Sequence, residues 1–500
     1  MTWITTDARA ARVIGAQLEV RSVVELDSEL FALQVPRSGL PGASLAVHDE
    51  LHRCAGFVQR TSLEKAMFRR ASEPALQVTY AIDNAATVTP LLAEVRTENL
   101  LSTIETLSAF PTRLHDSEEG LQAALWIRDL WQGYAEGRAD VSVELVEHEN
   151  TPQPSVAATI TGATLPNEVV VLGGHLDSIN GDGPGELAPG ADDNASGIAV
   201  LSEALRAALE LGYRPDRTVI FYGYAAEEIG LVGSEEIAQA AEDSGLDVVG
   251  VLQLDMTNYS VASQPYLALI TDYTTPSLNE LGKQLIDEYL QMPWEETECG
   301  YGCSDHASWY EHGFPVHYVH ESNTDESNPY IHTTQDTLAL SEGMADHSLH
   351  FARYSVAFMA EVAKGTIPPE PECDATRPCP AGETCQAGTC VANGGGAGGS
   401  PMTGGMGGGG AGGGATLAGA SGGGVGGSGG SPAAGGPAQG GSDTARLGPA
   451  STPTSETSDC SCRAPGRSGS APSAHWLLVA AAYIYARRRT QRSASSQRRQ

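Results

Sequence analysis

Two histidines and four carboxylates stand in five short strings: His175 in GGHLDS, Asp193 in ADDNASG, Glu227 and Glu228 in AAEEIG, Asp255 in QLDMTN and His332 in IHTTQDT. Each string follows an apolar run or sits in a tight turn. Imidazole nitrogen and carboxylate oxygen are the donors a divalent ion such as zinc prefers. A carboxylate shared between two ions lets them clamp an attacking water and a polarised carbonyl, and a spare glutamate can carry the proton. The inventory is that of a two-metal hydrolytic site.

Each residue also has a plainer reading. His175 alone could be a core histidine, but Asp177 follows two residues on, placed to receive its other ring N–H as metal-bound histidines require. Aspartates before a helix are commonly N-caps. One of the pair in ADDNASG fits that role and the other a bridge between metals, and the residues alone leave Asp192 and Asp193 open. Glu227 and Glu228 follow the core-like run FYGYAA, so a solvated face does not suit them. One can bind metal while its neighbour stays free as a base. Asp255 ends the apolar run VVGVLQL. His306, His312, His317 and His320 compete with His332, whose IHTTQDT context is the more specific.

These residues need a scaffold that holds them at strand ends. From about residue 142, apolar strand-like runs alternate with helical patterns: SVELVEH, SVAATITG, NEVVVLGGH, the helix SGIAVLSEALRAALEL, TVIFYGYA, DVVGVLQLD, YLALIT and PVHYVHE. The nearly continuous apolar runs predict strands buried on both faces. The rhythm predicts an α/β fold, a three-layer sandwich with a largely parallel mixed sheet flanked by helices. The motif residues fall just past strand ends, where open α/β sheets build their sites. Upstream, TENLLSTIETLSAF and EEGLQAALWIRDLWQGYA carry helical spacing.

The 500 residues divide by composition. Residues 1–84 form a small mixed segment without visible chemistry, read as an accessory or pro-segment, with strands at QLEVRSVVELD and ELFALQVP and a helix at TSLEKAMFRRA. Residues 85–364 are the enzyme domain. Residues 365–392 hold IPPEPE and then Cys373, Cys379, Cys385 and Cys390. Their spacing is not CxxC, so disulfides are expected rather than a zinc knot. Residues 393–459 are a Gly/Ser-rich tether that cannot bury a core and is expected to be disordered. Residues 460–500 carry CSC, a short apolar run over 476–486 and the Arg487–Arg488–Arg489 cluster. The apolar run is shorter than the roughly 17–25 residues of a spanning helix. A net charge of -33 argues against nucleic-acid partners. The cysteines ask for an oxidising, extracytoplasmic compartment. The start at Met1 has neither a basic region nor an apolar stretch, so an export signal is expected upstream of it.

Taken jointly, GGHLDS, GADDNASG, AAEEIGLVGS, LDMTNY, CGYGCSDHASW and IHTTQDT resemble the zinc aminopeptidases of the bacterial leucyl aminopeptidase type, relatives of glutamate carboxypeptidase, over about residues 85–364. The resemblance implies two Zn2+ ions and a monomeric catalytic domain acting on peptides with a free N-terminus. Asp193 would bridge, His175 and Asp255 would hold one zinc, Glu228 and His332 the other. Glu227 would be the general base, with Asp177 also in the catalytic set. It further implies a Cys299–Cys303 disulfide beside the specificity pocket, substrate contacts from Tyr301, Met256 and Ile331, and a cis peptide between Asp193 and Asn194. Where the family lines the pocket with aromatics, this chain has His320, Thr324 and Ser327, which puts a leucine preference in doubt. The CSC, apolar run and arginines resemble a myxobacterial C-terminal sorting tail, implying removal or anchoring at the cell surface or membrane. Two alternatives stand beside the aminopeptidase: a carboxypeptidase or amide hydrolase or cyclase on the same scaffold, and a surface binding protein on an inactive peptidase fold. No arginine inside the motifs is placed to clamp a substrate carboxylate, and an intact Glu227 is not needed by a mere scaffold.

Overall fold

A computed structural model of the protein describes residues 1–28, 30–51, 56–60, 62–67, 79–260, 265–369, 373, 378–381, 383–386 and 389–392. The expectations for the tether at 393–459, for the tail at 460–500 and for the end of the TSLEKAMFRRA helix lie outside these residues.

The N-terminal segment folds as β1 (Thr2–Asp7), α1 (Ala8–Gln17), β2 (Ser22–Glu25), β3 (Leu30–Val35), α2 (Leu40–Leu51), β4 (Phe57–Arg60) and α3 (Leu63–Met67). Its sheet is ordered β2-β3-β1-β4. Asp7 caps α1, its Oδ1 accepting from the Arg9 and Ala10 amides at 2.6 and 3.2 Å. Ile4, Ile14, Leu33, Leu40 and Val47 form its own small core. The strand within QLEVRSVVELD is shorter than the pattern predicts, because Gln17 ends α1 and the strand covers Ser22–Glu25. The strand TWITTD and the two longer helices of this segment go beyond what the sequence pattern predicts.

The larger unit opens with α4 (Ala85–Glu94), α5 (Thr97–Ser108) and α6 (Glu118–Tyr134). Ser117 caps α6 through the Gly120 amide at 2.9 Å, with Glu118 and Glu119 complementing the helix dipole. Then follow β5 (Val141–Val146), β6 (Ser155–Ile160), β7 (Leu165–His175), α7 (Gly197–Glu210), β8 (Arg217–Tyr224), α8 (Val232–Ser244), β9 (Asp247–Leu254), β10 (Leu267–Ile270), α9 (Pro276–Leu285), β11 (Trp294–Thr297), α10 (His306–Glu311), β12 (Val316–His320) and α11 (Asp346–Ala363). The eight-stranded sheet runs β11-β10-β12-β9-β7-β8-β6-β5. It is parallel from β8 through β7 and β9 to β12 and antiparallel outward at β6, β5 and β10.

The two-residue period of β7 divides the interior. Val170 and Leu172 join the core under α5, α7 and α11, while Val169 and Val171 face α8, Trp309 and Phe314 on the other side. This is the three-layer α/β sandwich with a mixed, largely parallel sheet that the strand pattern predicts. β8, β7 and β9 are adjacent and parallel, so the residues after their C-terminal ends meet at one edge. Near the C-terminus, β13 (Glu383–Gln386) pairs with β14 (Thr389–Ala392), tied by Cys373–Cys385 and Cys379–Cys390 disulfides. No helix among the described residues is long and apolar enough to cross a membrane.

Candidate metal centre

His175 ends β7. Its neighbour Gly174 must lack a side chain, because a Cβ there would lie 2.4 Å from the Leu254 carbonyl as β9 passes alongside. Asp193 lies in the turn Ala191–Ser196, whose Asp193–Asn194 peptide is cis. Asn194 knits this turn to its surroundings. Its Oδ1 accepts from the Gly197 amide at the start of α7 at 2.8 Å, and its Nδ2 donates to the Leu254 carbonyl at 3.0 Å, one residue before Asp255. Glu227 and Glu228 follow β8. Ala226, Met256 and His332 all hold positive φ of 55–57°. Non-glycine residues in the left-handed region are uncommon and gather where surrounding structure over-determines the backbone. Here one precedes Glu227, one follows Asp255 and one is the histidine itself.

The side chains converge. His175 Nε2 lies 3.1 Å from Asp193 Oδ1 and 3.3 Å from Asp255 Oδ1. His332 Nε2 lies 3.1 Å from Asp193 Oδ2 and 2.8 Å from Glu228 Oε2. The two oxygens of Asp193 thus face two separate half-sets of donors. All six motif residues are buried. Yet neither oxygen of Glu228, nor Asp193 Oδ2, sits in hydrogen-bond geometry with a described residue, despite these short approaches. Buried polar atoms normally find hydrogen-bond partners. His175 Nε2 and Asp255 Oδ1 do meet as a hydrogen bond, but carboxylates gathered on both imidazoles with these oxygens unmatched are arranged around points between them, as cation ligands are. The donor set, nitrogen and oxygen only, fits zinc.

Asp192 faces away, accepting from the Asn258 and Tyr259 amides at 2.9 and 3.2 Å and from Asn328 Nδ2 at 3.3 Å. Between the two aspartates the sequence left open, Asp193 is the one among the histidines. Asp177 lies 3.5 Å from His175 Nδ1, longer than a firm hydrogen bond. Its oxygens accept from the Glu227 and Glu228 amides at 3.0 and 3.3 Å. It therefore positions the glutamate pair as well as standing beside the histidine. Of the competing histidines, His317 joins Asn279 and Tyr354 at 2.7 Å each, His312 joins Glu235 and Glu242, and the His306 ring packs 4.8 Å from that of Tyr318.

In the metal-free chain the electrostatics follow from burial. Burial pushes the Glu227 carboxyl well above its usual range, opposed by His175 and reinforced by Glu228. It pushes Glu228 up to about 7, with His332 pulling the other way. Burial also works against a proton on His175, but Asp255, Asp177 and Asp193 outweigh it and raise that pKa well above the ordinary value. Metal charge would take over the role these protons play.

Several supporting residues escape a reading of the sequence. Ser304 donates to Asp255 Oδ2 at 2.6 Å. Asp336 accepts from the Asp192 and Asp193 amides at 3.1 and 3.0 Å, fixing the turn that aims Asp193. Arg113 is fully buried and donates to the carbonyls of Leu176, Pro189 and Gly190 at 2.9, 2.6 and 2.9 Å, so one guanidinium spans the segments after His175 and before Asp193. Gly190 (φ +50°) leaves room for it, since a Cβ there would lie 2.7 Å from Arg113 Nη2. Asp336 belongs to the same string as His332, which is the available signal. Ser304 sits in CGYGCSDHASW; Arg113 has none.

A cavity of about 270 Å³ opens beside the centre, reaching Asp255 and lined by Met256, Tyr301, Ile331 and the Cys299–Cys303 pair. That pair is a disulfide with S–S 2.04 Å. Asp272 holds its loop, accepting from the Cys299 and Gly300 amides at 3.0 and 2.8 Å.

The model of peptidase family M28 matches residues 155–356. A probable leucine aminopeptidase of Trichophyton verrucosum is 33% identical over 356 residues, 67% of this chain and 97% of that protein. Leucine aminopeptidase 1 of Coccidioides posadasii is 37% identical over 59% of this chain and 79% of its own. Among solved structures, the LapA aminopeptidase of Legionella pneumophila superposes with a TM-score of 0.63 at 28% identity, covering 72% of this chain and 98% of that one. With the strand-end donors and the α/β sandwich already in place, these likenesses make the chain a metallopeptidase of the aminopeptidase type, and it belongs to peptidase family M28.

Proposed function

We propose that the protein is an extracytoplasmic aminopeptidase that releases N-terminal residues from peptides at a co-catalytic two-zinc centre with Glu227 as general base. The observation that carries this reading is Asp193, one carboxylate oxygen toward His175 and Asp255, the other toward His332 and Glu228. In it, His175 and Asp255 would hold one zinc, Glu228 and His332 the other, and Asp193 both. When bound, zinc lowers the pKa of water and polarises a carbonyl. Glu227, with neither oxygen hydrogen-bonded to a described residue, takes the proton of the attacking water and passes it to the leaving amine. Asp177 holds the Glu227 and Glu228 backbone in place. Tyr301, Met256 and Ile331 line the cavity that receives the departing residue's side chain.

The remaining parts of the reading concern the chain's organisation. Residues 1–84 act as a pro-segment, supported by how the N-terminal fold covers the centre. The Ser44 hydroxyl donates to the Glu228 carbonyl at 2.5 Å, the His48 ring lies 4.3 Å from that of His332, and Leu51 enters the cavity beside Asp255. Gln59 N donates to the Gly230 carbonyl at 3.1 Å, and Arg60, almost fully buried, pairs with Glu235 at 2.8 Å and with Glu311. The catalytic unit works as a monomer without nucleic-acid partners, and the C-terminal tail directs surface attachment. Three disulfides among the described residues support an oxidising compartment.

The test is an assay of matched peptides with a free or an acetylated N-terminus, each with and without chelator. Release of the first residue from the free peptide alone, abolished by chelator and restored by zinc, is the expected outcome. Cleavage of the acetylated peptide, or release from the C-terminal end, would move the reading to a carboxypeptidase or amide hydrolase.

A further inference from the structure

The cavity beside the centre is polarised. Met256, Ile331, Tyr301 and Leu51 of α2 contribute apolar surface to its lining. The exposed acidic residues Glu298 and Asp325 belong to the same lining, and no lysine or arginine does. Neither carboxylate is paired in an ion pair or side-chain hydrogen bond with any described residue. The two segments that bear them are nonetheless tied together: the Thr324 hydroxyl donates to the Glu298 carbonyl at 3.0 Å, and the Thr324 amide donates to the Thr297 hydroxyl at 3.3 Å.

A third acceptor comes from the floor. His320, at the end of β12, is 5% exposed and lines the same cavity. Its Nδ1 lies 2.9 Å from the Ser322 carbonyl, an arrangement that puts the ring proton on Nδ1. Burial holds this ring below its ordinary pKa, so it is neutral near pH 7. Nε2 then presents a lone pair, and no described residue donates to it. An acceptor on the cavity wall without a protein donor is open to one from a ligand.

The cavity therefore combines apolar side chains, the buried Met256 among them, with acceptors and two exposed negative charges. An amphipathic cationic side chain has the complementary order, an aliphatic stem ending in a cluster of N–H donors. We propose that this pocket selects substrates whose N-terminal residue is basic, arginine or lysine, its stem along Met256 and Ile331 and its cationic end among Glu298, Asp325 and His320. The inference rests on the aminopeptidase reading above and names its substrate class. It also gives a physical role to the polar residues that stand where a leucine-selective pocket would carry aromatics.

The discriminating pair is arginine against citrulline as the N-terminal residue of otherwise identical p-nitroanilides. The two have the same length and shape and differ in charge. Solvent-accessible pairs of this kind contribute modestly, so kcat/KM should favour arginine by about three- to twentyfold at low ionic strength. The preference should shrink as salt is raised, because rim charges are screened. In Glu298→Gln with Asp325→Asn it should fall to within about twofold, and each single variant should lie between. A wild-type ratio at or below one overturns the proposal, and so does a ratio unchanged in the double variant. If the double variant does not fold, the wild-type ratio and its salt dependence decide alone. Release of leucine and citrulline without a preference for arginine sinks this inference and leaves the aminopeptidase reading standing. No release of any N-terminal residue sinks both.

Discussion

Replacing Glu227 by glutamine separates the base from the ligands. The side chain is 1% exposed and neither oxygen is hydrogen-bonded to a described residue, so an amide of the same shape breaks no described bond. The Glu227 amide still donates to Asp177. Metal binding should persist, with stoichiometry by equilibrium dialysis equal to wild type. Turnover should fall by about 10²–10⁴-fold, the usual cost of a general base, or on the order of 3–5 kcal/mol of barrier. Stability supplies an independent reading. Burial raises the folded pKa of Glu227 above the 4.5 of an unfolded chain. The folded metal-free protein then holds this proton more tightly than the unfolded one. The stability so gained is complete below pH 4.5 and is lost as pH rises through the folded pKa. Glutamine does not titrate. Metal-free Glu227→Gln should therefore gain on wild type as pH rises from about 4 to about 8, by roughly 1.4 kcal/mol for each pH unit between the unfolded and folded pKa values. Urea midpoints across that range measure it. A variant that loses metal in step with turnover would make Glu227 a ligand, and turnover within a few-fold of wild type would end its role as base.

Asp336→Ala should weaken zinc binding by about 10–100-fold, as loss of a ligand's supporting partner commonly does; unchanged affinity would mean that the Asp193 turn holds itself. Cys299→Ser with Cys303→Ser should alter kcat/KM between substrates more than melting temperature, because closing so short a loop contributes only about 2 kcal/mol of chain entropy. A collapse of the fold with an unchanged substrate ratio would refute this. Cleavage of the chain between residues 67 and 79, followed by removal of the N-terminal fragment, should raise turnover of small N-terminal amides, since α2 no longer lies over His332. Equal turnover before and after removal would show that the N-terminal fold is accessory rather than obstructive.

What is legible in a sequence is whatever a short string can hold. His175, Glu227, Glu228 and Asp255 are readable because each ends a buried apolar run, and in parallel sheets strand ends converge. The choice of Asp193 over Asp192 is not readable from the residues alone. It depends on Asn258, Tyr259 and Asn328 claiming the Asp192 oxygens from elsewhere in the chain. Arg113 is silent for the same reason, since its partners are backbone carbonyls without identity. The N-terminal fold is the least legible part. LPGASLAVHDEL opens with proline and glycine and resembles a loop, yet it becomes α2 because Leu40, Ala43 and Val47 pack on β1 and β3 residues of the small core. Tertiary burial overrides local preference there.

The way the donors are strung along the chain also dictates when they can meet. His175 reaches Asp255 across 80 residues, and the Asp193 amide reaches Asp336 across 143. Contacts of such separation form late, because chain entropy must be lost before they reward it. A nascent chain that has passed β9 holds His175, Asp193, Glu228 and Asp255 but lacks His332, and the Asp193 turn lacks Asp336. Without His332 the second half-set is incomplete, and the turn that aims Asp193 lacks its Asp336 support. The donor set is thus completed only when the segment carrying His332 and Asp336 docks, so assembly of the centre would report that the C-terminal part of this unit has folded.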